Sequence, residues 1–386
     1  MTREERARAD AALSYEAFRA EVRGWIEANY MLERNLLERP KFAAAKPWYV
    51  KLNERGWLAP AWPIEYGGSA LPIRKQVILV EEQERFGTCR LNDMGVTMIG
   101  PLLIAYGTPE QKAALLPGIL NGDVAWCQGY SEPGAGSDLA SLRSQAVREG
   151  DAWRINGQKI WTTRANDSNW MFALLRTDTT GAKQDGISMF VFPMDTPGIT
   201  VRPIRDLNGG TELCETFLDD VIVGPDALIG ELNKGWSISR ALLGFERLYV
   251  GSPKQSAHAI ARLHDLISRL GRWDDAVIVD TYVQLLFDLE NHIDLYESTI
   301  DQVAQTGIYP PDISLLKISQ SELYQRVTDQ LLELGGALAG LVEPLPDSNG
   351  LSPANQFLFA RPITIYGGSS EIQRNIIARR VLGLPS

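Results

Sequence analysis

Apolar positions recur with one period at the two ends of this chain and with another in its middle. Over residues 1–125 they fall mostly three and four apart, the spacing that lines one face of a helix. Residues 73–86 place Ile73, Val77 and Val80 near one stripe with Leu79 beside it, and turn Glu81, Glu82 and Glu84 towards water. A second helix is marked at its start. Thr108 offers an N-cap hydroxyl, Pro109 a fixed φ at the first helical position, and Gln111 a side chain that can reach back to the cap. Leu115, Leu116, Ile119 and Leu120 supply its apolar face, and Gly122 ends it.

Between residues 126 and 235 the pattern changes to short β-branched or aromatic runs at 171–175, 187–192, 201–204 and 213–218, separated by Gly, Pro and Asp. These read as strands. The long crossover helices of a doubly wound sheet are missing between them. Helical spacing returns from residue 236, broken at Tyr309-Pro310-Pro311-Asp312 and across 344–353. A closing helical stretch at 370–382, carrying Ile372, Ile376 and Leu382, follows Gly367-Gly368. The predicted fold class is α+β, with a helical domain at 1–125, a middle β domain at 126–235 and a helical domain at 236–386.

Composition narrows the function. With 386 residues, 45% of them apolar, and 10 Trp, 12 Tyr and 11 Phe, the chain can fill two or three sizeable cores. A net charge of −10 fits poorly with a nucleic-acid-binding surface. Cys89, Cys127 and Cys214 are too few and too scattered for a disulfide framework, and His258, His264 and His292 form no metal-binding pair, so no metal site is expected. Cys127 reads as a packing residue. The sequence holds no uninterrupted 18-residue apolar run, and its start, with Glu4, Glu5 and Asp10, is too acidic for a transit peptide. A cytoplasmic protein without stable membrane insertion is expected.

The densest local chemistry lies at residues 126–138, which read WCQGYSEPGAGSD. The glycines, Gly136 among them, allow close backbone approach, and the Ser131 and Ser137 hydroxyls with free N–H groups can hold polar ligand oxygens. A plain surface connection would have the same composition. The stretch is no P-loop, since no Gly-Lys-Ser/Thr follows, and it lacks the dinucleotide GxGxxG. At Lys159-Ile160-Trp161-Thr162-Thr163 an indole beside hydroxyls can flank a planar cofactor, although a Trp buried in a strand explains the pattern nearly as well.

Four segments together, 131–138, 156–163, 245–248 and 365–374, resemble the acyl-CoA dehydrogenase family in order and spacing over essentially the whole chain. The resemblance implies an N-terminal helical domain, a β-barrel-like middle domain and a C-terminal four-helix bundle. It also implies FAD as cofactor, an acyl-CoA thioester as substrate, electron-transfer flavoprotein as acceptor, and assembly as a tetramer. By position, Ser131 resembles the hydroxyl at the flavin pyrimidine edge, with Tyr130 supplying neighbouring backbone contact. Ser137 resembles the residue near the pyrophosphate or the thioester. Trp161 resembles the indole shielding the isoalloxazine, and Thr163 the donor near flavin N5. Gly336, Ser369 and Glu371 resemble further cofactor-proximal positions, Glu371 at the adenine end or a subunit contact.

The family reaction removes a proton α to a thioester and sends the β hydrogen to the flavin as hydride, so it needs a carboxylate base and donors on the thioester carbonyl. Many members place the glutamate directly after the tyrosine matching Tyr366. Here that position is Gly367, which has no carboxylate. In other members the glutamate comes from the helix start matching Glu246, so the resemblance implies Glu246 as base and leaves Gly367 its backbone N–H. The usual Arg-x-x-Phe-Gly segment is replaced by residues 268–275, where Arg269 or Arg272 stands in for the pyrophosphate arginine, and the usual glutamine before the Gly-Gly turn is Leu332. Erosion of these elements, which act across a subunit boundary, leaves open a homotetramer, a heterotetramer with a homologous subunit, or a non-catalytic half-site subunit of one. A flavin oxidase or monooxygenase of the same superfamily is the enzymatic alternative.

Overall fold

The computed structural model describes residues 1–32, 40–89, 91, 94–241, 248, 250–341, 343–346, 348 and 350–385. The chain divides into two units, 1–206 with 211–242 and 207–210 with 243–386.

The described residues of the first unit open with the α-helices α1 (Arg3–Ala12), α2 (Tyr15–Asn29), α3 (Phe42–Arg55), α4 (Ile73–Phe86), α5 (Gly100–Tyr106) and α6 (Pro109–Leu120). The capping expected for α6 forms on both sides. Gln111 N donates to Thr108 Oγ1 at 3.2 Å, and Thr108 N donates to Gln111 Oε1 at 2.9 Å. Leu116, Ile119 and Leu120 are buried beneath it.

Helix α4 departs from its sequence pattern. Its buried face is Lys75, Ile78, Leu79 and Glu82, so Glu82, expected in water, lies inside together with a lysine. Each is held by partners some 60 residues away in the chain, Glu82 also by Arg85 three residues on. Glu82, 1% exposed, meets Arg19 at 3.1 Å, Arg23 at 2.9 Å and Arg85 at 2.6 Å. Burial alone pushes its pKa up, but the hydrogen bonds from the arginines outweigh it and hold the carboxyl at about 2. Lys75 Nζ donates to Asp10 O, Ala11 O and Leu13 O at 2.7, 2.8 and 2.7 Å, satisfying carbonyls that the end of α1 leaves open.

The sheet follows: β1 (Trp126–Gly129), β2 (Gln145–Glu149), β3 (Ala152–Lys159), β4 (Trp170–Arg176), β5 (Ile187–Pro193), β6 (Ile199–Ile204), β7 (Leu213–Val223) and β8 (Leu228–Ile229). The hydrogen-bonded order is β6-β7-β3-β2-β4-β5-β8, with β1 parallel to β4. Strand β4 is covered on both faces. Phe172 and Leu174 join the core under the helices, together with Phe18, Trp48 and Ile119. Met171, Ala173 and Leu175 join a second core with Ile155, Phe190 and Val221. Burial on both sides is why its sequence is an unbroken apolar run without alternation. Each large side chain buried there contributes roughly 1.5–3 kcal/mol. Helix α7 (Gly235–Ala241) completes the described elements of this unit.

The second unit is helical: α8 (Lys254–Leu270), α9 (Ala276–Thr306), α10 (Ser314–Gly335), α11 (Pro353–Ala360) and α12 (Ser370–Arg380). Its core draws Leu263 and Ile267 from α8, Leu285 and Leu289 from α9, and Leu323, Val327 and Leu331 from α10. The Pro310-Pro311 break falls between α9 and α10, where Gly307 takes φ +67° and closes α9. Ser369 caps α12, accepting from Ile372 N at 3.4 Å.

Candidate active site

Strand β1 runs out of the sheet into the loop 130–138. Tyr130 packs edge-on against Phe172 with ring centroids 5.8 Å apart. The loop turns tightly at its start, since Glu132 and Ala135 exchange backbone hydrogen bonds of 3.1 and 3.0 Å. Glu132 then points inward. It accepts from Arg143 N at 2.6 Å and Ser144 N at 2.9 Å, and it meets Lys159 Nζ at 2.7 Å. Lys159, fully buried at the end of β3, also donates to Leu174 O at 2.8 Å and to Tyr130 O at 3.3 Å. Burial lowers the pKa of the lysine against the opposing pull of Glu132. The Glu132 pKa, although burial pushes it up, is brought below its ordinary value by the Lys159 charge and hydrogen bonds. Ile160 N donates to Ser131 O at 2.9 Å. These contacts bring the two predicted segments, 130–138 and 159–163, side by side.

Trp161 is 55% exposed, so it is not a buried strand residue. The cause lies in strand register. Lys159 is paired with Thr216, and Thr162 exchanges backbone bonds with Cys214 at 3.0 and 3.2 Å. Two residues, 160 and 161, therefore oppose the single residue Glu215. This one-residue excess is a β-bulge, and Trp161 takes φ +60° within it. A left-handed backbone at a bulky residue costs roughly 1–2 kcal/mol. The bulge turns outward an indole that strict alternation would direct otherwise.

The residues present fit a bound flavin. An exposed aromatic face at Trp161 stands next to the half-buried Thr163. A Cβ placed on Gly134 or Gly136 would meet nothing within 4 Å, so the loop backbone there borders open space. Among the described residues, the hydroxyls of Ser131, Ser137 and Thr163 have no hydrogen-bonding partner, which leaves them free for ligand oxygens and nitrogens.

In the second unit, Gly367 and Gly368 both take left-handed backbone, φ +65° and +84°, immediately before α12. Ser369 and Glu371 sit at the start of that helix, and hydrogen bonds from the Glu371 N–H and from Ser369 lower the Glu371 pKa. The side chain of Glu371 interacts with the charge of Lys317 near the start of α10. Gly336, at the other end of α10 and exposed, lies about 28 Å from Lys317 at 1.5 Å per residue. Within this unit, then, Gly336 and Glu371 are at opposite ends of one helix. Glu246 lies outside the described residues. Arg269 donates to Pro346 O at 2.9 Å, and Arg272 pairs with Asp275, the cap of α9, at 2.6 Å.

Two residues were not singled out for their roles by sequence reasoning. Lys159, inside a quoted motif, acts as a buried brace, signalled by a charge at an inward strand position. Gln373 of α12, fully buried, donates through Nε2 to Gly367 O at 2.9 Å and Gly368 O at 3.3 Å. Cys127 is fully buried, and burial raises its thiol pKa, in keeping with packing. Among the described residues, no three His, Cys, Asp or Glu side chains gather to hold a metal ion, and no helix is long and apolar enough to cross a membrane.

Residues 14–123, 127–221 and 233–382 match the models of the acyl-CoA dehydrogenase N-terminal, middle and C-terminal domains. The chain is similar to acyl-CoA dehydrogenase IpdE1 of Mycobacterium tuberculosis, 36% identical over 381 residues that cover 96% of this chain and 98% of that protein. Among solved structures it is similar to the Tcur3481-Tcur3483 steroid ACAD, with a TM-score of 0.85, 29% identity, and coverage of 96% of this chain and 97% of that one. It is also similar to a chain of the ChsE4-ChsE5 complex from Mycobacterium tuberculosis, with a TM-score of 0.78, 29% identity, and coverage of 96% and 98%. Matched in all three of its parts by the family's domains, this chain belongs to the acyl-CoA dehydrogenase family, FAD-dependent oxidoreductases that dehydrogenate acyl-CoA thioesters.

Proposed function

We propose that this chain takes the α proton of a bulky acyl-CoA with Glu246 while the Gly367 N–H steadies the charge developing on the thioester oxygen. The observation that carries this reading is the 367 turn. It has no carboxylate, and among the described residues the N–H of Gly367 has no partner. A donor left open beside the start of an 11-residue helix is suited to an oxyanion. The general base must then come from elsewhere, and by the family resemblance Glu246 matches the position from which some members supply it.

FAD, when bound, supplies the acceptor for the hydride that leaves the β carbon. Trp161 and Thr163 flank and orient the ring, Tyr130 and Ser131 meet its pyrimidine edge, and Gly136 and Ser137 face its phosphates or the thioester. Gly336, Ser369 and Glu371 serve the adenosine end. Their separation along α10 is what sharing of cofactor sites between subunits would require. Electron-transfer flavoprotein is the expected acceptor.

The acyl chain is read as branched or ring-bearing. A glycine at 367 removes bulk beside the reacting carbons, and one similar structure is named a steroid ACAD. The assembly is read as a tetramer with a homologous subunit. Leu332 stands where an amide is usual, and the Arg269 and Arg272 guanidiniums already have partners inside their own unit. The same observation favours a second reading, in which this chain contributes only half of each cofactor site to its partner.

Replacing Glu246 with Gln tests the central claim. Turnover should fall steeply with flavin still bound, and full activity in that variant would overturn it. One FAD per chain in protein expressed alone would exclude the shared-site assembly. A preference for unbranched short-chain thioesters would exclude the bulky substrate.

A further inference from the structure

The turn at residues 367–368 is gripped by a single side chain. Gln373 Nε2 donates to two successive carbonyls, Gly367 O at 2.9 Å and Gly368 O at 3.3 Å, and Gln373 is fully buried one turn into α12. A trans peptide is planar, so each carbonyl drawn inward sends the N–H of its own peptide group outward. The clamp therefore fixes the N–H groups of Gly368 and Ser369 away from the unit's interior. The Gly367 N–H belongs to the preceding peptide, and the clamp restrains it only through Gly367 itself, whose carbonyl is held and whose φ is +65°. None of these three N–H groups has a hydrogen-bonding partner among the described residues.

The fit leaves little slack. A Cβ on Gly368 would come within 2.7 Å of Gln373 Nε2, at φ +84°, so the amide occupies the space that any side chain at 368 would need. A buried amide that serves two backbone carbonyls of one turn is more than a space-filler, because its loss would leave both carbonyls without that donor. The strength of an oxyanion donor depends on its aim more than on its presence. We infer that Gln373 is a positioning residue for the dehydrogenation: it aims the open N–H groups of the 367–369 turn at the thioester oxygen. The inference rests on the reading of Gly367 as the thioester donor.

The test uses the flavin-loaded enzyme, in its natural assembly, with acetoacetyl-CoA as probe. Its enolate carries on the same oxygen the charge that develops during α-proton removal. Stabilisation of that enolate is read from the long-wavelength absorbance of the complex as a function of pH. Two variants are compared with wild type: Gln373→Met, which keeps the volume without a donor, and Gln373→Leu, which removes the donor with a branched apolar side chain. Both should stay folded at the assay temperature with flavin content retained, bind the enolate roughly tenfold less favourably than wild type, and lose roughly tenfold in kcat with little change in KM. A residue that only supported the fold would move flavin content and melting without that split. If wild type itself fails to favour the enolate, the Gly367 reading falls, whatever the variants do. If wild type favours it and the folded variants favour it equally, the positioning role of Gln373 is overturned. Loss of flavin from both variants would equally overturn it, by making Gln373 a residue of the fold.

Discussion

Lys159 Nζ lies 2.7 Å from Glu132 Oε1, with the lysine fully buried and the glutamate 8% exposed. The pair joins the loop that carries Tyr130 and Ser131 to the strand that delivers Trp161, so two segments 30 residues apart are held as one surface. Taking both charges out of water is costly. It is tolerated because Lys159 has three acceptors and Glu132 two further backbone donors.

Removing one partner should therefore cost more than removing both. Lys159→Met leaves Glu132 charged and buried, and unfolding by denaturant should show a loss of roughly 3–5 kcal/mol together with reduced flavin content. The double variant Lys159→Met, Glu132→Gln should recover part of that loss. If Lys159→Met unfolds at the wild-type midpoint, the brace is not what holds the loop.

Glu82 gives stability a defined acid limit. Its carboxyl lies at about 2 in the folded protein against an ordinary 4.5, a depressed value, so its contribution is complete above pH 4.5 and is lost as pH falls towards 2. The gain at neutral pH is on the order of 3 kcal/mol at most, and less in salt, because its three arginine partners are partly exposed. Melting curves of wild type and Glu82→Gln should differ most above pH 5 and converge as the pH approaches 2. A difference that stays constant across this range would refute the ion-pair account.

How far the sequence could be read depended on whether the deciding contacts were local. The Thr108–Gln111 cap and the β4 and β5 runs were legible, because a cap spans one turn and a strand buried on both faces needs no partner to look apolar. Lys75 and Glu82 were not. Their burial depends on three carbonyls and two of three arginines some 60 residues away, and a periodic pattern assigns any charge to water. Strands β2 and β3 were weak signals, since their outer faces are polar. At the site, the motif around Trp161 was visible, but its outward direction depends on a bulge against β7, which no single strand reveals. The Gln373 clamp was hidden for a similar reason: a glutamine in a helix looks like surface until its amide is seen on the turn before it.

The bulge at Trp161 predicts that site and fold pull in opposite directions. A glycine adopts φ +60° without the steric cost of an indole, and a ring that is 55% exposed gives up little burial when removed. Trp161→Gly should leave the flavin-free protein as stable as wild type, or more stable by up to about 1 kcal/mol. The same variant should release flavin faster, because one wall of the ring site is gone. Unchanged flavin retention, measured by dilution and fluorescence, would remove Trp161 from the cofactor site.

The position of the base can be tested by moving it. Glu246→Gln should lower kcat by roughly 10²–10⁴-fold, the range expected when a general base is lost. Gly367→Glu places a carboxylate where many related enzymes carry it, at a backbone φ of +65° that costs a side chain roughly 1–2 kcal/mol. Alone, that substitution should crowd the turn and reduce turnover of a bulky thioester. Combined with Glu246→Gln it should restore part of the lost rate on a short, slender thioester, because a base has returned while the space for bulk has gone. Recovery on the short substrate together with continued failure on the bulky one would tie proton removal and acyl-chain selection to position 367. If the double variant recovers nothing while still binding flavin, Glu246 and residue 367 are not alternative sites for one base, and the moved-carboxylate reading fails.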